Sequence, residues 1–271
     1  MHEHSADGRK LVLLTGAAGA VASMVRPSLR KLYNVRLSDK KRVSTLSYGE
    51  RFVKADLRNF SSLRRAVRGV DAIIHLGAVS KEGPFKMIEL ANIAGIYNVL
   101  EAARLEGVKR LIFASSGHVT GFYPRSHRTT VDHHVRPDTL YAASKAFGEA
   151  LSSLYADKHG LEILCIRIGH VTLVPQDTSS NIWVSPDDLL QLIRLGLEST
   201  SLHYDIVYGV SDNPLKWWDN SHAERLGYRP KHSAAAFTSI AHSKAPDSIA
   251  DFFQGGNFAS RGFAGKIPQT T

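Results

Sequence analysis

A chain of 271 residues with 43% apolar and 22% charged residues can bury a real core, as one large α/β domain or two small ones. Its net charge of +9 is scattered, with none of the aromatic–basic repeats or finger spacings of nucleic-acid binders; a basic protein that attracts anionic small molecules is expected, with no nucleic-acid partner. One cysteine excludes an internal disulfide, and the 13 dispersed histidines, none at zinc spacing, and the absence of a long apolar run argue against a metal site and a membrane span.

Residues 1–8 are polar, lack an apolar signal core and read as a flexible lead. A cytoplasmic protein is expected, with one domain over 9–271 and no linker, repeat or low-complexity tract. Residues 10–14 read as a short buried strand. A glycine turn with Gly16 and Gly19 follows, then Ala20, Val21 and a helical pattern to Leu32. Strand, glycine turn and helix N-terminus form the arrangement that holds a pyrophosphate. Ala22 stands at the third position of the fingerprint, where a methyl group still lets helix and strand approach. Asp39 ends the next strand about 20 residues on, where an acid can bind a ribose 2′-OH and repel a 2′-phosphate. NAD is therefore favoured over NADP, although Lys40, Lys41 and Arg42 weaken the preference.

Strand and helix patterns keep alternating, which argues for a parallel sheet. Residues 51–54 form a strand running into Asp56 and Leu57, with Asp56 a candidate N-cap for the segment from Phe60. Residues 71–75 form a fourth strand; Leu76, Gly77 and Ala78 then bring bare backbone to the sheet edge. A long helix over 85–107 carries Asn92, and an apolar strand over 110–114 leads into Ser115 and Ser116. Open α/β sheets bind ligands at that edge, so Ser116 can donate to the oxygen of a reacting carbinol. Tyr141 and Lys145 lie four apart on the next helix and hence on one face. A phenol ionises at about 10, and a neighbouring ammonium lowers that value, so the pair makes a general base. A sixth strand covers 162–168, with Cys165 expected in the core. Residues 171–271 read mainly as a small C-terminal lobe, with a helix opened by Pro186, a strand over 205–209, and Trp217, Trp218, His222 and Tyr228 as packing or sugar-lining aromatics.

Thr15–Gly19, Asp56–Leu57, His75–Ala78, Ser115–Ser116 and Tyr141-x-x-x-Lys145 together resemble the extended short-chain dehydrogenase/reductase (NAD-dependent epimerase/dehydratase) family. Residues 113–118, 121–124, 136–138, 167–169, 207–209, 217–221 and 253–256 bring the chain closest to its uronate dehydrogenases. The resemblance implies a doubly wound parallel Rossmann sheet, mainly residues 9–170, with a small substrate lobe, and NAD as cofactor. It implies adenine contacts from Asp56 and Leu57, further cofactor contacts from Leu76, Gly77, Ala78, Ser115 and Ile168, and a nicotinamide-ribose contact from Lys145. Asn92 would prop the active-site strand. Ser80, Ser116, His118, Tyr141 and His170 would meet a sugar or sugar acid, whose anomeric hydroxyl would be oxidised to a lactone. Pairing of two or more copies through the two long helices is also implied.

The chain departs from that pattern at three places. Gly117 replaces the usual asparagine, His170 replaces a small polar residue, and the loop over 171–183 lacks the arginine that grips the substrate carboxylate. Losing such a clamp costs about 1.5–3 kcal/mol unless His170 or Lys81 replaces it. A neutral-sugar or sugar-phosphate dehydrogenase, an epimerase and a turnover-free dinucleotide sensor stay open beside the uronate reading.

Overall fold

Apolar runs too short for a helix become strands buried on both faces. In the computed structural model, which describes residues 8–175, 177–237 and 247–267, β1 (Leu11–Thr15) sends Val12 and Leu14 to one side and Leu13 to the other. Residues 1–7 of the expected lead and Gln176 of the expected substrate loop lie outside the described residues. The order continues through α1 (Ala20–Leu32), β2 (Asn34–Asp39), β3 (Glu50–Lys54), α2 (Phe60–Val67) and β4 (Ala72–His75). Next come α3 (Phe85–Ile88), a π-helical turn (Glu89–Ile93), α4 (Ala94–Leu105), β5 (Arg110–Ser116), α5 (Leu140–His159) and β6 (Glu162–Ile168).

The remaining elements are β7 (His170–Val171), β8 (Trp183–Val184), α6 (Pro186–Glu198), β9 (Tyr204–Gly209), α7 (Ser221–Arg225), α8 (Ser248–Phe252) and α9 (Asn257–Ser260). Seven strands form one parallel sheet in the order β3-β2-β1-β4-β5-β6-β9. Helices α1 and α6 cover the face carrying Val12 and Leu14, while α2, α4 and α5 cover the face carrying Leu13. The sheet is the doubly wound Rossmann arrangement that the sequence implies. Its path reverses at β1, with β2 on one side and β4 on the other, and a crevice opens where strand order reverses.

Residues 186–209, expected in the C-terminal lobe, return to this sheet as α6 and its seventh strand, β9. The loop over 121–138 and the segments around Trp218 and Gln254 then meet at the ends of β5 and β6, joined by the bridges Pro124–Phe253 and Thr129–Trp218. Asp56 does not cap α2; Asn59 does, accepting from the Ser62 amide at 2.9 Å. A cap must reach the first-turn amides, and the Asp56 carboxylate is instead drawn to Arg58 at 2.6 Å. The helix expected over 85–107 holds a π-helical turn around Asn92, a feature frequent at functional sites. Asn92 ties Val79, after β4, to Ser144 on α5 rather than propping a strand. Cys165 is a buried free thiol, as expected.

Candidate active site

At the crevice, Gly16 has φ +68, a left-handed conformation that glycine adopts without strain. A Cβ there would fall 2.7 Å from the Gly77 backbone, so two bare backbones touch. Gly19 donates to the Gly16 carbonyl at 2.9 Å and stands at the N-cap of α1 without a side-chain cap. Ala20 and Val21 open that helix, exposed and half-buried, and its first amides lack intrahelical partners. Asp39, at the end of β2, accepts from the Ala18 and Lys41 amides at 3.1 and 2.9 Å; Lys40 is exposed beside it. The Arg58 guanidinium holds the Asp56 carboxyl below its usual range. Leu57 packs against Gly77, between the half-buried Leu76 and Ala78. A floor of bare backbone that a Cβ would fill, with an acid at the next strand end, fits a dinucleotide.

Further along the edge, Thr139 caps α5, accepting from the Ala142 amide at 3.0 Å, and Tyr141 and Lys145 follow in its first turns. The Lys145 ammonium donates to the Ala114 carbonyl at 2.6 Å and lies 5.8 Å from the Tyr141 ring centroid. Burial lowers its pKa from 10.5 to about 8, against the pull of Glu149. Burial also pushes the Tyr141 phenol above 10.0; the hydrogen bond from Ser116 pulls it back in part, and Asp138 adds to the rise. The expectation that Lys145 lowers the phenol pKa is therefore corrected for this structure: the ammonium is bonded to Ala114, and burial raises the phenol.

Ser115 and Ser116 face opposite ways, as strand alternation requires. Ser116 Oγ accepts from the His118 amide at 3.3 Å. The Ser115 hydroxyl donates to Glu149 Oε1 at 2.6 Å, and Arg167 grips the same carboxylate with two bonds of 2.9 Å, all of it buried.

Beside Ser116 lies a cavity of about 80 Å³, lined by Gly117, His118, Ile168, Gly169, His170, Ile182, Trp218 and Gln254. His118 Nδ1 is 2.6 Å from Asp138 Oδ2, and its ring stacks on Phe258 at 4.2 Å and stands edge-on to Tyr141 at 6.4 Å. His170 is half-buried, and burial pushes its pKa down. Trp218 stacks on Tyr208 at 4.9 Å and occupies the room that Gly117 leaves: a Cβ at Gly117 would come within 2.3 Å of the indole. Ser80 and Lys81 are exposed after β4, outside this lining. No lysine or arginine lines the cavity among the described residues. Nor do three His, Cys, Asp or Glu side chains converge as metal ligands there.

Sequence reasoning brought Ser116, His118, Ile168 and His170 to this place but missed Ile182, Gln254 and Asp138 as site residues. The pair Gly255-Gly256 was a signal for close packing at Gln254; the mating of Asp138 to His118 left none. Trp217 and Trp218, read as packing more than lining, divide the tasks: both are buried, and Trp218 also forms a cavity wall.

A family model for the NAD dependent epimerase/dehydratase family matches residues 12–181. Uronate dehydrogenase from Pseudomonas putida is 43% identical over 260 residues, 93% of this chain and 96% of that protein. A variant of uronate dehydrogenase from Agrobacterium tumefaciens, crystallised with NAD, superposes with a TM-score of 0.88 at 39% identity, covering 92% of this chain and 97% of the other. An NAD-dependent glucose-6-phosphate dehydrogenase from Haloferax volcanii is 34% identical over 84% of this chain and 95% of its own length.

Proposed function

The chain belongs to the NAD-dependent epimerase/dehydratase family, and we propose that it oxidises the anomeric hydroxyl of a hexuronate or related sugar to the lactone. The observation that carries this reading is the convergence of Ser116, Tyr141 and Lys145 at the edge of the cavity lined by His118 and His170, beside a backbone cradle for NAD. In the cradle, the turn at Gly16, Gly19, Ala20 and Val21 holds the pyrophosphate, Asp39 the adenosine ribose with Lys40 at its rim, and Asp56 and Leu57 the adenine. Leu76, Gly77 and Ala78 would pass the central portion; Tyr141, Lys145 and Ile168 would face the nicotinamide half, where Ser115, its hydroxyl held by Glu149, offers only backbone. NAD, when bound, supplies the hydride acceptor.

The chain's own residues handle the proton. Tyr141 Oη takes it from the sugar hydroxyl. Ser116 is ordered for its part: it accepts from the His118 amide, so its own hydrogen is free for the tyrosine oxygen. That bond favours the phenolate, while Lys145, bonded to the Ala114 carbonyl and with its pKa lowered by burial to about 8, would hold the nicotinamide ribose. His118 and His170 bind sugar oxygens; with no arginine or lysine in the lining, His170 is the nearest candidate to meet a carboxylate. Ser80 would join them from the loop after β4. The same reading treats residues 9–271 as one domain, with those after 170 mainly serving the substrate, and pairs two copies through α4 and α5, where Tyr97, Phe147 and Leu154 leave apolar surface exposed.

A neutral aldose is the second reading, favoured by that same absence of a permanent cation, with a phosphorylated aldose beside it on the net charge of +9 alone. NADH formation with galacturonate, glucuronate, the matching aldoses and their phosphates separates the two. Uronate-only turnover supports the first; turnover confined to neutral or phosphorylated sugars replaces it. Tyr141→Phe is expected to abolish turnover and leave NAD affinity within about twofold; a fully active Phe variant sinks the mechanism.

A further inference from the structure

Asp138 is built into the site more tightly than its neighbours require. Its side chain has no exposed surface. Oδ2 meets His118 Nδ1 at 2.6 Å, and Oδ1 accepts from the Thr139 hydroxyl at 3.1 Å. Two glycines from distant segments make room for it. A Cβ at Gly121 would lie 2.0 Å from Oδ2, and one at Gly255 would lie 1.9 Å from it. The His118 ring is held on its other sides as well, stacked on Phe258, edge-on to Tyr141, with its own amide bonded to Ser116.

We propose that Asp138 is a positioning residue that acts through His118, keeping the Nδ1 proton turned to its carboxylate so that Nε2 is the ring nitrogen presented to a sugar hydroxyl. A carboxylate only accepts hydrogen bonds, so the bond at 2.6 Å places the proton on Nδ1. In the neutral ring Nε2 is then an acceptor, and it selects a substrate that offers a hydroxyl hydrogen at that point. An unfixed imidazole would present a donor in part of the population and lose that selection. The inference deepens the dehydrogenase reading and rests on it.

The test uses the full chain and the sugar that the wild type turns over. Asp138→Asn offers an amide hydrogen to Nδ1 and is expected to move the ring proton to Nε2. The Michaelis constant for sugar should rise roughly 10- to 100-fold, the weight of one hydrogen bond to a buried polar group. NAD affinity should stay within a fewfold, and the Michaelis constant is the readout, because turnover number also senses loss of the Asp138 charge near Tyr141. In a His118→Gln background the same substitution should add nothing to the Michaelis constant for sugar, because that effect runs through the ring. Nitrogen-15 spectra of the imidazoles, with His118 assigned by its loss in His118→Gln, should show Nδ1–H in the wild type and Nε2–H in Asp138→Asn. If Asp138→Asn does not fold, Gly255→Ala displaces Oδ2 and takes its place in the cycle.

Equal effects of either variant with and without His118, or an Nε2–H tautomer in the wild type, overturns the inference. Silence of the wild type on every sugar would instead sink the dehydrogenase reading, while the tautomer measurement would still decide the pair.

Discussion

The two ends of the cleft are made of different material. The proposed cofactor end is backbone: Gly16 lies against Gly77, and α1 starts without a side-chain cap. The proposed sugar end is side chain: His118, His170, Ile182, Trp218 and Gln254 arrive from segments far apart in sequence. Backbone cradles bind groups common to all dinucleotides and tolerate little change. Side-chain walls read one substrate and can be rebuilt residue by residue, which is where this chain departs from the uronate dehydrogenase pattern, at Gly117 and His170.

Beneath both ends lies the buried pair Glu149–Arg167, which reaches Ser115 on one side and Tyr208 on the other, with Tyr208 stacked on Trp218. Glu149→Gln should break it and cost about 3–5 kcal/mol, because it leaves a buried guanidinium unpaired. Denaturant midpoints would show this, and both ends should loosen together. If only sugar affinity fell, the network would belong to the sugar end alone.

Gly16→Ala should damage the cofactor end selectively. A methyl group meets Gly77 at 2.7 Å and holds a left-handed φ, roughly 2–5 kcal/mol of strain and overpacking combined. NAD titration should show binding lost, while the Trp218 fluorescence environment stays native. Gly117→Ala is the converse. Its methyl group overlaps the Trp218 ring at 2.3 Å and should cost about 1–3 kcal/mol, raising the Michaelis constant for sugar while NAD affinity stays put.

At the end of β4, His75 is buried and bonded to Thr15 at 2.7 Å. Burial, with Lys145 adding to it, lowers its pKa from 6.5 to about 3. The unfolded chain therefore binds the extra proton between those values, so stability is full above pH 6.5 and is lost as pH falls toward 3. The loss at pH 5 should be roughly 2 kcal/mol, read as a drop in thermal midpoint that His75→Gln largely removes. An unchanged slope in that variant would assign the acid sensitivity elsewhere.

The fold was legible because its signals are local. Alternation of short apolar runs with helical periods announces a parallel sheet, and the turn at Gly16 and Gly19 announces the crevice. Boundaries moved where local signals compete: Asn59 rather than Asp56 caps α2, and a π-helical turn at Asn92 interrupts a periodic helix. The site was legible in part. Ser116, Tyr141 and Lys145 stand in recognisable spacings, but their electrostatics did not follow from spacing. Tyr141 and Lys145 share a helix face as predicted, and yet burial raises the phenol and the ammonium bonds to Ala114.

By itself, then, the sequence determined the strand order's parallel character, the glycine cradle, the acid at Asp39 and the Tyr141–Lys145 helix face, since each rests on residues within a turn or two of one another. Only the tertiary structure decided that residues 186–209 rejoin the sheet, that Trp218 fills the space at Gly117, and that Asp138 reaches His118 between Gly121 and Gly255. Those contacts join distant segments, and their geometry follows from how whole elements pack, which no local pattern encodes.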